Sequence, residues 1–284
     1  MRFEFQGFEL ELTSRKLERI ARNSRITALQ MSYSSKSSHI GSALSCIDVL
    51  TLLLCAKQKL EEMESGTTLE VVCSKGHAAM AVYSVLREIG ELNEEKVLNY
   101  CKDGSQLYGH INHLAHSWIP LSAGSLGHGM PFSLGMAMSL KKERKVGHIF
   151  ALVSDGELDE GTTWESALIA NAFGVDNFSV LIDYNKIQSF GRVEDVTPLE
   201  PLREKWESFG WKVTELNGNS MEELIDALSG VSGLNAFVLN TKKGSGVSFM
   251  EDSLQWHYNS PSLQELELAF AELNSEFPKE TREK

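Results

Sequence analysis

The sequence predicts an α/β protein with a parallel sheet that is covered by helices on both faces. From residue 148 onward, short apolar strands alternate with helical segments, and this alternation is typical of strand-helix-strand units. Each strand is a nearly continuous apolar run, such as HIFALVS at 148–154 and FSVLID at 178–183. Strands of this kind belong in a sheet that is buried on both sides. The chain has 284 residues, enough for one large domain over 1–284.

The first half of the chain is predicted to be mainly helical. A Thr-Ser pair begins the segment 13–33, in which leucine and isoleucine recur at helical intervals, so an amphipathic helix is expected there. The apolar run at 45–60 predicts a buried helix, and LEVVCS at 69–74 predicts a short buried strand. A further helix is expected at about 77–89.

Regular elements are predicted again after a polar stretch, rich in glycine and histidine, at 102–129. Helices and strands then alternate as in a parallel sheet. The predicted helices lie at about 130–142, 160–173, 199–209, 221–229 and 261–275, and the predicted strands at 148–154, 178–183, 211–217 and 236–241.

The acidic composition excludes several classes of partner. The formal net charge is −12 and the isoelectric point is near 5.2, so a nucleic-acid groove or an anionic membrane surface is not expected. Any phosphate group would have to be held by local contacts. No apolar run approaches the length of a membrane span, and the first residues, MRFEFQGFEL, lack the apolar stretch of a signal peptide. A cytoplasmic protein is expected, and its four cysteines, which form no C-x-x-C pair, are predicted to be reduced core residues.

Two strand ends carry the residues that indicate a binding site. HIFALVS runs into Asp155-Gly156, and FSVLID is followed by Asn185, thirty residues after Asp155. In a parallel sheet, ligands bind beyond the carboxyl ends of the strands. A carboxylate and an amide oxygen suit Mg²⁺ or Ca²⁺, Gly156 permits close approach of a phosphate, and a helix beginning near Glu160 would offer backbone amides. Taken singly, Asp155-Gly156 could be an ordinary turn and Asn185 a helix cap.

The segment SDGELDEGTTWESALIANAFGVDNFSVLIDYNKI resembles the thiamine diphosphate fingerprint, a GDG-type turn followed about thirty residues later by an asparagine. Other segments resemble, in the same order, the diphosphate-binding half of transketolase. The resemblance covers nearly the whole chain and implies the thiamine-diphosphate-binding fold. The segments are SSHIGSALS (37–45), CSKGHAAMAVYSVL (73–86), YGHINH (108–113), AGSLGHGMPFSLGMAMSLK (123–141) and TKKGSGVSFMEDSLQWH (241–257).

The resemblance implies two cofactors, thiamine diphosphate and Mg²⁺ (or Ca²⁺). Asp155 and Asn185 would bind the metal through their side chains, and Ile187 through its backbone carbonyl. The implied cofactor contacts are Gly156 against the diphosphate, the Gly124 carbonyl and the Leu126 side chain against the aminopyrimidine, and Asn185, His77 and His257.

Four histidines fall on the family motifs and are the implied catalytic residues. His77 and His257 would face the diphosphate and the reacting carbon, His39 the substrate oxygens, and His110 the terminal hydroxymethyl group of the donor. Cleaving a ketose beside its carbonyl requires a proton to leave a neighbouring hydroxyl, and groups that titrate near neutrality can accept it. Structural roles are expected for His113, His116 and His148, and His128 has no assigned role.

The resemblance also implies a partner chain. In the family, a glutamate that activates the cofactor comes from a pyrimidine-binding domain, and we expect that domain on a separate C-terminal subunit, without which this chain would be inert. Two copies of each chain are expected, because each family active site forms across an interface. Glu160 and Glu165 are candidates for that interface, although acidic residues at a helix start also favour the helix dipole.

The predicted reaction is transfer of a two-carbon ketol unit from a ketose or ketose phosphate donor to an aldehyde acceptor. His110 favours this reaction over a decarboxylation, because a 2-oxo acid has no hydroxymethyl group to contact. The alternatives are the α chain of a decarboxylating 2-oxo acid enzyme, a decarboxylating ketose-phosphate synthase, and a non-catalytic thiamine diphosphate binder. The chain departs from the transketolase pattern at Ser154, Ser189, Phe190 and Tyr258, which concerns the sugar more than the cofactor.

Overall fold

The computed structural model describes residues 2–276, which contain seven β-strands. They are β1 (Phe3–Phe5), β2 (Phe8–Leu10), β3 (Thr68–Cys73), β4 (Gly147–Ser154), β5 (Asn177–Tyr184), β6 (Lys212–Asn217) and β7 (Gly233–Asn240). Strands β1 and β2 form an antiparallel hairpin. The other five form one parallel sheet in the order β3-β4-β5-β7-β6, which confirms the predicted fold class.

Helices connect the strands and cover the sheet. In chain order they are α1 (Ser14–Ser35), α2 (Ile40–Leu44), α3 (Ile47–Glu62), α4 (Ala79–Glu88), α5 (Glu94–Leu98), α6 (Gly129–Lys142), α7 (Gly161–Ala172), α8 (Val193–Val196), α9 (Leu202–Ser208), α10 (Met221–Leu228), α11 (Gln255–Tyr258) and α12 (Leu263–Glu276). The sequence predicted every helix of seven or more residues. It did not predict the β1-β2 hairpin or the helices of four or five residues.

The two faces of the sheet pack against different sets of helices. Alternate residues of a strand point to opposite faces, so Phe150 and Leu152 of β4 join a core with α1, α3 and α4. Their neighbours Ile149, Ala151 and Val153 join a second core with α6, α7 and α9. All five residues are completely buried. Burial on both faces explains why the strands read as continuous apolar runs.

The carboxyl ends of the central strands bring distant motifs together. Ser154 at the end of β4 lies opposite Asp183 of β5, so the residues that follow each strand emerge side by side. A 3-10 turn over Asp155–Asp159 follows β4, and α7 begins only at Gly161. The helix that the sequence predicted near Glu160 is therefore present as α7, and this turn lies between it and Gly156.

The cysteines are free thiols, but not all lie in the core. Cys46, Cys55 and Cys73 are buried, whereas Cys101 is exposed in the loop after α5, so the prediction of a core position was wrong for Cys101. Burial raises the pKa of Cys46 and Cys55 to about 12, which keeps both protonated. Within residues 2–276, none of the helices combines the length and the hydropathy that a membrane span requires.

Candidate active site

A pocket of about 570 Å³ opens at the carboxyl edge of the sheet. Its walls come from the segments that follow β3, β4, β5 and β7, from the loop before α6, and from α2 with the residue before it. This is the expected position for a ligand in a parallel sheet. Every residue that the sequence singled out for the site lines this pocket: His39, His77, His110, Gly124, Leu126, Asp155, Gly156, Asn185, Ile187 and His257.

Close backbone packing joins three of these segments. A Cβ atom at Gly76 would lie only 1.9 Å from the carbonyl oxygen of Ala123, so only glycine fits at this crossing. The Gly76 carbonyl also accepts a hydrogen bond from the backbone N–H of Ile111 (2.9 Å). The turn that carries His77 is therefore fixed against the loops that carry His110 and Gly124.

Asp155 is a buried carboxylate at the end of β4. Its two oxygens accept hydrogen bonds from the backbone N–H groups of Gly156 and Lys186, both at 2.8 Å. Burial, followed by the negative charge of Asp183, raises the pKa of Asp155 to about 6. A cation placed beside this carboxylate would offset its desolvation.

Asn185 and Ile187 offer two more oxygen atoms beside Asp155. The Asn185 amide nitrogen donates to Asp183 (3.3 Å), and its oxygen accepts from the Ile187 N–H (3.2 Å). The Ile187 carbonyl accepts from Lys243 Nζ (2.8 Å) and keeps a second lone pair. No group of three His, Cys, Asp or Glu side chains within residues 2–276 is arranged to hold a metal ion. The available donors are hard oxygens, which fit Mg²⁺ or Ca²⁺ completed by diphosphate and water.

Two buried lysines that the sequence analysis missed lie near these oxygens. Lys75 is fully buried and forms an ion pair with Asp183, which also accepts from Ser45 and Thr241. Although burial opposes its charge, Asp183 raises the pKa of Lys75 above the ordinary value. Lys75 and Lys243 each precede a glycine in motifs that resemble transketolase, SKGH and TKKG. The position of each lysine, before a glycine and shortly after the end of a strand, was the signal in the sequence that could have identified it as a site residue.

Lys243 is the second buried lysine, with 1% of its surface exposed. Burial lowers its pKa to about 8, and the Asp155 carboxylate partly opposes that decrease. Of the described residues that line the pocket, only Lys243 carries a lysine or arginine charge. In an acidic chain, it places a local positive charge beside the pocket, and such a charge favours an anionic ligand.

Several residues that line the pocket carry a buried polar atom without a hydrogen-bond partner. These atoms are Ser154 Oγ, His39 Nδ1 and His257 Nδ1. Buried polar groups in native proteins nearly always have a hydrogen-bond partner. A polar ligand would supply these partners.

Four histidines cluster inside the pocket. The ring centroid of His39 lies 4.8 Å from that of His257, 5.5 Å from that of His77 and 5.7 Å from that of His110. Burial lowers the pKa of His39 to about 4, that of His257 to about 3, and that of His77 well below 6.5. These three imidazoles are therefore neutral near pH 7 and can accept or donate a hydrogen bond.

His39 is held in an unusual backbone conformation. Its φ angle is +72°, in the left-handed region that a non-glycine residue adopts rarely. Its backbone N–H donates to the His257 carbonyl (2.9 Å), so α2 and α11 are tied together at the cluster. Strained residues of this kind concentrate at functional sites.

The other four histidines do not line the pocket. His148 lies inside β4 and contacts Ser179 (2.7 Å), and the remaining three contact neighbouring groups: His113 with Ser122, His116 with Glu91, and His128 with the Leu126 carbonyl. Glu160 lines the pocket, whereas Glu165 is exposed on α7. All four positions that depart from the transketolase pattern, Ser154, Ser189, Phe190 and Tyr258, line the pocket.

Known proteins share both this sequence and this fold. Residues 17–233 match the family described as transketolase, thiamine diphosphate binding domain. The chain is 33% identical over 273 residues to an apulose-4-phosphate transketolase subunit of Phocaeicola vulgatus, covering 94% of this chain and 97% of that one. It is 32% identical over 244 residues to a 6-deoxy-6-sulfo-D-fructose transketolase subunit of a Clostridium species, covering 84% and 89%.

Longer transketolases match over part of their length. Human transketolase is 30% identical over 245 residues, which are 85% of this chain and 39% of the human protein. The crystal structure of Campylobacter jejuni transketolase shares the fold, with a TM-score of 0.84 and 24% identity, over 93% of this chain and 43% of that one. The chain thus spans about two fifths of these longer proteins. It belongs to the transketolase family and contains the family's thiamine diphosphate-binding domain.

Proposed function

We propose that this chain is the cofactor-binding subunit of a two-chain transketolase. The enzyme moves a two-carbon ketol unit from a ketose or ketose phosphate to an aldehyde acceptor. The observation that carries this proposal is the cluster of His39, His77, His110 and His257 in the same pocket as the Asp155 and Asn185 oxygens. The relatives named as subunits act, by their names, on apulose 4-phosphate and 6-deoxy-6-sulfo-D-fructose, which supports a sugar substrate.

The pocket residues have distinct proposed roles. Asp155, Asn185 and the Ile187 carbonyl hold Mg²⁺ or Ca²⁺, and Gly156 and Lys243 bind the diphosphate. Support comes from the hard oxygens, the raised pKa of Asp155 and the buried lysine charge. Among the other residues, we assign Gly124 and Leu126 to the aminopyrimidine, and His77 and His257 to the cofactor and the reacting carbon.

When bound, thiamine diphosphate supplies the carbon nucleophile that ketol transfer requires. His39 and His257 are neutral near pH 7, so each can accept a hydrogen bond from a sugar hydroxyl through a ring nitrogen. Each also has a buried Nδ1 without a partner, which is available to a substrate or cofactor oxygen. We assign His110 to the terminal hydroxymethyl group of the donor, which pyruvate lacks.

The second chain of the proposed enzyme is a C-terminal transketolase subunit with the pyrimidine-binding domain and the activating glutamate. Relatives that this chain covers over 97% and 89% of their length are named as subunits, which supports a division of the enzyme between two chains. We further propose that residues 1–284 form a single domain. The free cysteines favour the cytoplasm as its compartment.

We propose an α2β2 assembly with a self-association face on α7. This helix and the residue after it expose three large apolar side chains, Leu168, Ile169 and Phe173, near Glu160 and Glu165. Exposed apolar groups on one helix are typical of a contact surface. Light scattering of the purified complex, compared with that of Leu168→Glu, measures the association. We expect the wild-type complex to be a tetramer and the glutamate in Leu168→Glu to disrupt it. A wild-type complex with one copy of each chain would overturn the proposed α2β2 stoichiometry.

A substrate assay separates ketol transfer from decarboxylation. The chain and its partner are mixed with thiamine diphosphate and Mg²⁺, and given either a ketose phosphate with an aldehyde or pyruvate. We expect a new ketose in the first mixture and no CO₂ in the second. Release of CO₂ from pyruvate without ketol transfer would contradict the proposal.

His110 provides the matched test of donor binding. His110→Ala should raise KM for hydroxymethyl ketose donors roughly 10-fold or more, because a hydrogen bond to the donor is lost. His113→Ala, which lies outside the pocket lining, is the control and should leave KM unchanged. Equal KM values for His110→Ala and His113→Ala would show that His110 does not bind the donor.

A further inference from the structure

Tyr258 connects two walls of the pocket. Its phenol hydroxyl donates a hydrogen bond of 2.5 Å to the backbone carbonyl of Ser189, 69 positions away in sequence. Tyr258 ends α11, next to His257, and Ser189 lies in the loop after β5, two residues beyond Ile187. One side chain thus connects the segment that carries His257 to the loop that carries the Ile187 carbonyl.

This bridge lies at the solvent edge of the pocket. Tyr258 is 55% exposed and Phe190, beside Ser189, is 85% exposed, whereas His257 is only 8% exposed. The Tyr258 ring also packs edge-on against the His257 ring, with 5.0 Å between centroids. The phenol therefore stands between solvent and the histidine cluster.

The loop that carries Ser189 is closed on itself by backbone contacts. Gln188 N–H donates to the Gly191 carbonyl (2.8 Å), and Val193 N–H donates to the Lys186 carbonyl (3.1 Å). Lys243 holds the base of the loop at Ile187. Tyr258 contacts the loop at Ser189, so the phenol ties this loop to α11 on the side of the pocket that carries His257.

We infer that Tyr258 is a specificity-determining residue that limits the cross-section of the sugar chains that reach the histidine cluster. This role rests on the proposed ketol transfer. Tyr258, a departure from the transketolase pattern, supplies the side chain of this contact, and Ser189 supplies its backbone carbonyl. The bridge favours small aldehyde acceptors, such as glycolaldehyde, over larger ones, such as ribose 5-phosphate.

Two variants of the holoenzyme test this role. Tyr258→Gly removes both the ring and the bridge, and Tyr258→Phe removes only the hydrogen bond. The readout is kcat/KM for ribose 5-phosphate divided by kcat/KM for glycolaldehyde. We expect this ratio to rise roughly 10-fold or more in Tyr258→Gly, the scale on which pocket shape discriminates substrates. Tyr33→Phe is the control, because Tyr33 lies on α1 and does not line the pocket.

Amide hydrogen exchange tests, without any substrate, whether the hydrogen bond between Tyr258 and Ser189 stabilises the loop. In Tyr258→Phe, the amides of residues 188–192 should exchange roughly 2- to 10-fold faster, the effect of losing one hydrogen bond. Unchanged exchange at these amides would show that the hydrogen bond from Tyr258 does not hold this loop. If the wild type catalyses ketol transfer but Tyr258→Gly leaves the ratio of the two kcat/KM values unchanged, only the specificity role of Tyr258 is overturned. Absence of ketol transfer in the wild type would overturn both this role and the proposed function.

Discussion

Replacing Asp155 by asparagine should stabilise the chain in the absence of a cation and also abolish cofactor binding. Burial raises the pKa of Asp155 from 3.8 to about 6. Each pKa unit corresponds to about 1.4 kcal/mol, so at pH 7 the ionised carboxylate costs the folded state about 3 kcal/mol. The amide removes this cost, but it offers one oxygen to the two N–H groups of Gly156 and Lys186. Leaving one of them unpaired costs about 1 to 2 kcal/mol, so the expected net gain is about 1 to 2 kcal/mol.

The sign of this effect depends on pH. The folded-state pKa lies above the unfolded value, so the stability that the protonated carboxyl contributes is complete below pH 3.8 and is lost as the pH rises through 6. Asp155→Asn should therefore be more stable than the wild type at pH 7 and no more stable at about pH 4.5. Urea unfolding followed by circular dichroism at both values measures the difference. Asp226→Asn, at an exposed position of α10, is the control.

The same variant should lose the stabilisation that the ligands provide. Thiamine diphosphate and Mg²⁺ at about 100 times their dissociation constants should stabilise the wild type by about 2.7 kcal/mol. Asp155→Asn should show no such increase, because the metal loses its carboxylate. An equal increase in both proteins, or a stability difference that does not change with pH, would refute the reasoning.

Three further predictions concern the same pocket. Lys243→Met should weaken thiamine diphosphate binding, measured by calorimetry with Mg²⁺, roughly 10- to 100-fold, the effect of losing a charged hydrogen bond; the exposed control Lys145→Met should bind normally. Ser154→Ala should weaken the same binding roughly 2- to 10-fold, because the ligand would lose its contact with the buried hydroxyl; tighter binding would contradict this role. The affinity for Mg²⁺ should rise between about pH 5 and 7, because Asp155, with a pKa of about 6, must lose its proton; a calorimetric titration with constant affinity would exclude Asp155 as a ligand.

The sequence predicted those parts of the fold that repeat along the chain. Continuous apolar strands such as β4 and β5 can form only in a sheet covered on both faces, so Asp155 and Asn185 had to emerge at one edge. Helices of four or five residues, such as α8 and α11, are too short to show a helical period. The hairpin β1-β2 did carry a signal, because Phe3 and Phe5 alternate with polar residues before a Gln-Gly turn.

The chemistry of the pocket was less predictable. Lys75 and Lys243 are buried, but a lysine in a sequence looks the same whether it faces solvent or a pocket. Their environment depends on Asp183 and Asp155, which are distant from them in sequence and reach them only through the folded sheet. The contact between Tyr258 and Ser189 likewise depends on tertiary structure, although both positions stood out as departures from the family pattern.

A titration of the partner subunit tests the central claim most directly. The chain is held at a fixed concentration with saturating thiamine diphosphate, Mg²⁺, ketose phosphate and aldehyde, and the rate of ketol transfer is measured as the partner is added. We predict no turnover without the partner and a rate that saturates at one partner per chain. Ketol transfer by this chain alone, or a rate of zero at every ratio despite complex formation, would contradict the account.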